Sequence, residues 1–160
     1  MSAPAARLYK RPESVLVVVY TRAGQALLLK RIEPPDFWQS VTGSLKGGEI
    51  PADTAVRELF EETGIRAGDG LRDWRQTNTF EILASLRKRY APGTIHNLEH
   101  VYSLQLPAAV PVALNPAEHS EYSWMGLGAA AQTVWSWTNR AAIEALLNGG
   151  SAIYKVQSSP

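Results

Sequence analysis

Short apolar runs, separated by turn-forming residues, dominate the first part of the chain. Residues 14–20 read SVLVVVY and residues 26–30 read ALLLK, and the glycine-containing TRAGQ lies between them. Apolar runs of this length, bounded by turn residues, are typical of buried strands. The pattern therefore predicts a hairpin of two buried strands. After the break that a Pro-Pro pair imposes, FWQSVT is expected to form a further strand.

Helical spacing replaces this pattern at residues 51–63. Pro51 suits the first turn of a helix, and Gly64 suits its end. Apolar and small side chains recur here three and four positions apart, which is the period of one helix face. The side chains expected on this buried face are those of Ala52, Ala55, Val56, Leu59 and Thr63.

Further strands and one more helix are expected in the second half of the chain. Strands are predicted at residues 76–83 and 100–106, and another at residues 121–125. The polar segment LRKRYAPGTIHN between the first two contains a Pro-Gly break and is expected to be an exposed connection. Residues 141–147 have helical propensity. An α/β fold with a mixed sheet between helices is therefore the expected architecture.

Length and composition indicate one globular domain. The chain has 160 residues, of which 45% are hydrophobic and 19% charged, so a domain over residues 1–150 and a C-terminal tail over 151–160 are expected. A formal charge of +1 gives no electrostatic case for nucleic-acid binding. The absence of cysteine excludes disulfides and thiolate metal sites. Since neither a signal-peptide apolar region nor a membrane-spanning run is present, a cytoplasmic protein without a membrane partner is expected.

Three glutamates in the predicted helix, Glu58, Glu61 and Glu62, are the first indication of chemistry. They are expected to share the face opposite the buried one, in the last turns, where the helix dipole disfavours anions. Glu58 repels each of the other two by roughly 0.2–0.5 kcal/mol. A solvated acidic helix face is one explanation. The other is a divalent cation, which would reverse each of these interactions, because magnesium binds carboxylate and phosphate oxygens.

The stretch GSLKGGEIPADTAVRELFEETGI, residues 43–65, resembles the Nudix box at every defined position. This resemblance implies the Nudix α/β/α sandwich and hydrolysis of a nucleoside diphosphate linked to another group, with magnesium or manganese as cofactor. It implies that Glu58 and Glu62 are metal ligands and that Glu61 lies beside them. It also implies that Arg57 orients a carboxylate of the box. The expected partner of Arg57 is Glu49.

Six stretches outside the box resemble the bacterial dihydroneopterin triphosphate diphosphatases. With the box they cover most of residues 9–147. The implied reaction removes pyrophosphate from 7,8-dihydroneopterin triphosphate, in folate biosynthesis, and leaves the monophosphate. General cleavage of dATP and other nucleoside triphosphates is the alternative. A non-catalytic nucleotide sensor is a third hypothesis, but such modules usually lose acids of the box and none is lost here. The stretches are YKRPESVLVVVY, PDFWQSVTGS, LRKRYAPG, LEHVYSLQLP, EHSEYSWM and SWTNRAAIE.

The second resemblance also implies site residues outside the box. Lys10, Arg31 and Thr42 are implied to contact the triphosphate, and Glu118 to supply a further metal ligand. By their residue types alone, the two cations could be solvated charges and Glu118 a surface acid. Either Glu61 or Glu118 is the candidate general base. The remaining residues implied to contact the substrate are Phe80, Glu81, Ile82, Leu83 and Ser136.

Several other conspicuous side chains have structural explanations. The cluster at residues 87–89, Arg-Lys-Arg, is expected to lie in a solvated loop, with attraction of phosphate as the alternative. Trp135 and Trp137 are expected to fill the core or an interface. The three histidines have no metal-like spacing with one another, so no zinc site is expected. A small-molecule triphosphate is the expected partner, and the sequence gives no indication of oligomeric state.

Overall fold

The computed structural model describes residues 8–149, so the predicted tail at 151–160 lies outside the described part of the chain. The described residues form seven strands, three α-helices and one 3₁₀ helix. In chain order they are β1 (Glu13–Thr21), β2 (Gln25–Arg31), β3 (Trp38–Gln39), β4 (Val41–Ser44), α1 (Pro51–Thr63), β5 (Leu71–Glu81), the 3₁₀ helix (Ala84–Arg89), β6 (His96–Leu106), β7 (His119–Gly126), α2 (Leu127–Thr133) and α3 (Trp137–Leu147).

The seven strands form one mixed sheet with β1 at its centre. Strand β1 pairs antiparallel with β4 along its first half and with β2 at Tyr20. On its other side it runs parallel to β6, from Glu13 opposite Leu98 to Thr21 opposite Leu106. Strands β5 and β7 are antiparallel to β6 and β2, respectively. This arrangement brings the start of β1, the start of β6 and β4 to one end of the sheet.

Helices cover both faces of the sheet, which confirms the predicted α/β/α sandwich. Alternate residues of β1 face opposite layers, as the two-residue period of a strand requires. Val15 and Val17 pack in the core that includes Leu59 of α1. Leu16 and Val18 pack in the second core, with α2 and α3. Within the described residues, no helix is both long and apolar enough to cross a bilayer.

The predicted hairpin and the strand at the box are confirmed, whereas several boundaries are wrong. Strand β5 begins at Leu71 and β6 at His96, each earlier than predicted. A bulge between Asp73 and Thr77 interrupts the β5 ladder and hides its alternation. The predicted exposed connection LRKRYAPGTIHN instead contains most of the 3₁₀ helix and the first residues of β6. Helix α2 was not predicted, since LGAAAQT has too few large apolar residues to give a helical pattern.

Helix α1 has the predicted bounds, but its buried face is not the predicted one. Val56 is 47% exposed, whereas Glu58 and Glu62 are 9% and 4% exposed. The helix is rotated so that these two carboxylates pack toward β4 together with Ala55 and Leu59. The expectation that Ala52 and Val56 are buried and the acids lie opposite is therefore wrong. Apolarity alone cannot reveal a helix that buries its acids.

Candidate active site

The close packing of α1 on β4 depends on Gly43. A Cβ atom added at this residue would lie 2.1 Å from Cδ of Glu58. Any other residue would therefore displace the Glu58 carboxylate. At the far end of the helix, Gly64 has a left-handed φ of 75° and donates its backbone N–H to the carbonyl of Phe60. The two glycines thus fix where the helix lies and where it ends.

Arg57 connects the carboxylates of the loop and the helix. Its Nε and Nη2 donate to the two oxygens of Glu49 at 2.7 and 2.8 Å, a bidentate pair. Its Nη1 donates to Glu58 at 2.8 Å and to Glu61 at 3.2 Å. The hydrogen bonds from Arg57 are the main reason that the pKa of Glu49 falls to about 2. Arg57 therefore lies in the contact with Glu49 that the box implied.

Glu62 is the most deeply buried of these acids. Burial, followed by the charges of Glu58 and Glu118, raises its pKa well above the usual range. Its Oε2 is buried and has no hydrogen-bond partner within the described part of the chain. Ligand atoms of Glu62, Glu118 and His119 lie within 4.8 Å of one another. An orphaned carboxylate oxygen beside a second carboxylate fits a hard divalent cation, which would supply the missing partner.

His119 was not expected at this cluster. It is 3% exposed, and burial lowers its pKa to about 4, so the imidazole is neutral at neutral pH. Neutral imidazole is the form that can coordinate a metal. The histidine spacing carried no signal because its neighbours in space are two glutamates rather than other histidines.

Four cationic side chains, one of them Lys46 of the box loop, line together with the carboxylates a cavity of about 310 Å³, here called the charged cleft. Lys10, Arg31 and Arg89 line it together with Glu58, Glu61, Glu62 and Glu118. Burial, followed by the charges of Arg89 and Arg31, lowers the pKa of Lys10. Bound phosphate groups would stabilise these crowded cations. The cleft therefore has acidic and basic walls suited to a polyphosphate bound through a metal.

A smaller cavity of about 100 Å³, here called the adjoining pocket, opens beside the cleft. It shares Lys10, Arg31, Thr42 and Arg89 with the cleft. Its other walls combine apolar and neutral polar side chains, as is typical of sites that orient an organic ring. They include Phe80, Ile82, Leu83, Leu86 and Tyr90 on the apolar side, and Ser14, Asn97, Ser136 and Asn139 on the polar side.

Gln39 organises the boundary between the two cavities. Its Oε1 accepts hydrogen bonds from Arg31 at 3.3 Å and from Trp135 at 3.2 Å. Its Nε2 donates to Thr42 at 3.1 Å. Trp135 also packs against Phe37, with ring centroids 5.1 Å apart. This network orients the side chains of Arg31 and Thr42, two residues that the resemblance implied to contact substrate.

The structure brings most of the predicted site residues together, with Glu81 as the exception. Phe80, Ile82, Leu83 and Ser136 line the adjoining pocket. Glu81 is exposed, and its carboxylate pairs with Arg87 at 2.7 Å. Strand alternation places Glu81 on the face opposite Phe80 and Ile82, and it lines neither cavity, so its contact with substrate stays a prediction.

Sequence analysis missed several residues that line the two cavities. Arg89 carried a partial signal as part of the basic cluster at 87–89, although the expected solvated loop is a 3₁₀ helix that brings it to the cleft. Trp135 lines the adjoining pocket rather than filling a core. Ser14 and Asn97 carried no signal, because isolated polar residues at strand starts are common.

Comparisons with known proteins agree with this geometry. The chain is 44% identical over 142 residues to the dihydroneopterin triphosphate diphosphatase of Escherichia coli K12, covering 86% of this chain and 93% of that protein. It is 37% identical over 144 residues to the Haemophilus influenzae protein of the same name, covering 87% and 89%. The solved E. coli dihydroneopterin triphosphate pyrophosphohydrolase matches at 42% identity with a TM-score of 0.84, covering 89% of this chain and 100% of that one. The model of the NUDIX domain matches residues 10–146. The chain therefore belongs to the NUDIX domain family.

Proposed function

We propose that this protein hydrolyses 7,8-dihydroneopterin triphosphate to the monophosphate and pyrophosphate, with magnesium as its cofactor and manganese as a substitute. The observation that carries the proposal is the wall that the charged cleft shares with the adjoining pocket. One cavity suits a polyphosphate and the other suits a flat heterocycle. The relatives from E. coli and H. influenzae are named for this reaction, and this chain matches them over most of their length.

The carboxylates of Glu58, Glu62 and Glu118 are the proposed metal ligands. When bound, magnesium would neutralise the phosphate charge and lower the pKa of a bound water. Arg57 positions a proposed metal ligand. Its Nη1 donates to the Glu58 carboxylate at 2.8 Å, while its Nε is held by Glu49. The ligand geometry is thus set before substrate binds.

Glu61 and Glu118 are the candidate general bases, as the sequence indicated. Glu61 is about half exposed in its side chain and accepts a 3.2 Å hydrogen bond from Arg57. Glu118 lines the same cleft from the segment just before β7. Both line the charged cleft, so each is within the cavity in which a water would attack phosphorus.

Lys10, Arg31 and Arg89 are proposed to bind the nonbridging oxygens of the triphosphate. The transition state of phosphoryl transfer spreads charge over these oxygens. Arg31 is held by Gln39 and by the carbonyl of Glu33, at 2.9 Å from its Nε, so its guanidinium is already positioned. Cations fixed in this way stabilise developing charge without reorganising.

A substrate panel tests the proposal. Dihydroneopterin triphosphate, dATP, dGTP, ADP-ribose and diadenosine polyphosphates would be compared with magnesium and with a chelator. We expect the highest kcat/KM for dihydroneopterin triphosphate, release of pyrophosphate and the monophosphate, and no turnover with the chelator. Equal or better use of dATP would assign the chain to the general nucleoside triphosphate pyrophosphohydrolases. Binding without turnover of any substrate would support the sensor hypothesis instead.

A further inference from the structure

We propose that Asn97 determines which heterocycle is accepted, by accepting a hydrogen bond from N–H donors of a 2-amino-4-oxopyrimidine ring. This inference rests on the proposed function, because it requires the ring of a triphosphate to occupy the adjoining pocket. Asn97 is 2% exposed, is the second residue of β6 and lines that pocket. Its Oδ1 is buried and has no hydrogen-bond partner among residues 8–149.

A hydrogen bond to Ser14 engages the amide nitrogen of Asn97. Nδ2 of Asn97 donates to Oγ of Ser14 at 2.7 Å, with both groups buried. Ser14 is near the start of β1, where parallel pairing places it opposite Glu99, two residues beyond Asn97 on β6. With Nδ2 engaged by a strand residue, the amide presents its oxygen as a free acceptor. A buried amide oxygen without a partner costs roughly 1–3 kcal/mol, which a ligand donor would recover.

A second buried amide in the pocket shows the contrast. Asn139 is also 2% exposed and lines the same cavity. Its Oδ1 already accepts a hydrogen bond from the backbone N–H of Ser40 at 3.2 Å. Asn139 therefore holds the walls together, whereas Asn97 retains an unused acceptor.

The unpaired Oδ1 of Asn97 favours a heterocycle that presents N–H donors to it. Dihydropterin and guanine both carry a ring N–H adjacent to an exocyclic amino group, so two neighbouring donors can meet one carbonyl oxygen. Adenine presents a ring nitrogen acceptor next to its amino group. This nitrogen would repel the Oδ1 of Asn97, because both atoms are acceptors. Groups built to bond a substrate donor can reject analogues that lack it, as buried polar atoms are then left unpaired. Asn97 thus favours dihydropterin and guanine over adenine.

The test measures kcat/KM for dihydroneopterin triphosphate, dGTP and dATP in wild type and three variants. Asn97→Leu removes the acceptor, and Ser14→Ala releases the amide while leaving it in place. Asn139→Ala is the matched control, a buried amide of the same pocket whose oxygen is already used. Melting temperatures identify any loss of folding, and Ser14→Ala provides the result if Asn97→Leu does not fold.

We expect Asn97→Leu to lower the ratio of kcat/KM for dihydroneopterin triphosphate to that for dATP by roughly 10- to 100-fold. Ser14→Ala should lower this ratio less, and Asn139→Ala should leave it unchanged even if activity falls. An unchanged ratio in both Asn97→Leu and Ser14→Ala would overturn the inference. If wild type shows no preference for the pterin, the proposed substrate is wrong, and the ratio of dGTP to dATP then decides the role of Asn97 in the same variants.

Discussion

The charged cleft and the adjoining pocket share a boundary but are built in different ways. Most acids of the cleft come from one continuous stretch, Gly43 to Glu62, and Arg57 pairs with two of them, Glu58 and Glu61. The adjoining pocket is assembled from residues of all six strands from β1 to β6, the 3₁₀ helix and the start of α3. The first carries charge and the second is mainly neutral. The difference indicates that reaction chemistry is encoded locally, whereas substrate choice is encoded by tertiary contacts.

Glu62→Gln, which removes a negative charge from the charged cleft, is expected to have the largest effect. Turnover should fall by more than about 100-fold, because even residues that only support metal ligands cost 10- to 100-fold when lost. Without metal, the variant should melt at a higher temperature than wild type, since an acid whose pKa is raised by burial has been replaced by a neutral group.

Steady-state kinetics and thermal melts with and without magnesium measure both effects of Glu62→Gln. Glu144→Gln is the control, because this acid lies on the exposed side of α3. Near-wild-type turnover of Glu62→Gln with magnesium would exclude Glu62 as a metal ligand.

Arg57→Lys tests whether the ion pairs of Arg57 affect the charged cleft without affecting the adjoining pocket. Lysine keeps the charge but cannot form the bidentate pair that Arg57 makes with Glu49. We expect both turnover and metal affinity to fall by about 10- to 100-fold. The relative use of dihydroneopterin triphosphate and dATP should not change, because Arg57 does not line the adjoining pocket.

Calorimetric titration of metal and the two-substrate kinetics measure these effects of Arg57→Lys. A variant with wild-type metal affinity would show that the pairing of Arg57 with Glu49 is dispensable.

The smallest expected effect concerns a buried acid whose partners are neutral. Burial raises the pKa of Glu99 from 4.5 to about 7, opposed by hydrogen bonds from Thr138 and Asn78. Between these values the folded chain retains a proton that the unfolded chain releases, so the free energy of unfolding falls as pH rises. Glu99→Gln should remove this loss, worth up to about 3 kcal/mol at pH 8.

Urea unfolding of wild type and Glu99→Gln at pH 5 and pH 8 tests this prediction. The variant should gain stability relative to wild type only at the higher pH. An identical pH dependence in both proteins would mean that Glu99 ionises in the folded chain as easily as in the unfolded one.

Local signals made helix α1 predictable to the residue. Pro51 and Gly64 mark its ends through backbone preferences that act within a few residues. The orientation of the helix was not predictable in the same way. One of its two buried glutamates, Glu58, packs closely against Gly43 of another element, whereas a pattern rule assigns such acids to solvent.

The adjoining pocket was predictable only where the resemblance to relatives supplied its residues. Phe80, Ile82, Leu83 and Ser136 were implied in this way and line it. Asn97 was missed because its relevant property is a buried side-chain oxygen that lacks a hydrogen-bond partner among the described residues. An unpaired acceptor is a property of the folded structure, so no pattern along the chain can reveal it.

The parallel pairing of β1 with β6 also has a kinetic consequence. Ser14 and Asn97 are 83 positions apart, yet they are held in contact by this pairing. Contacts between distant residues form slowly, because the entropy of closing a long loop is lost before any favourable contact is made. During synthesis, the whole of α1 leaves the ribosome before β6 does. The helix that carries the proposed metal ligands can therefore form long before the pocket proposed to select the ring, which must wait until Asn139 has been synthesised.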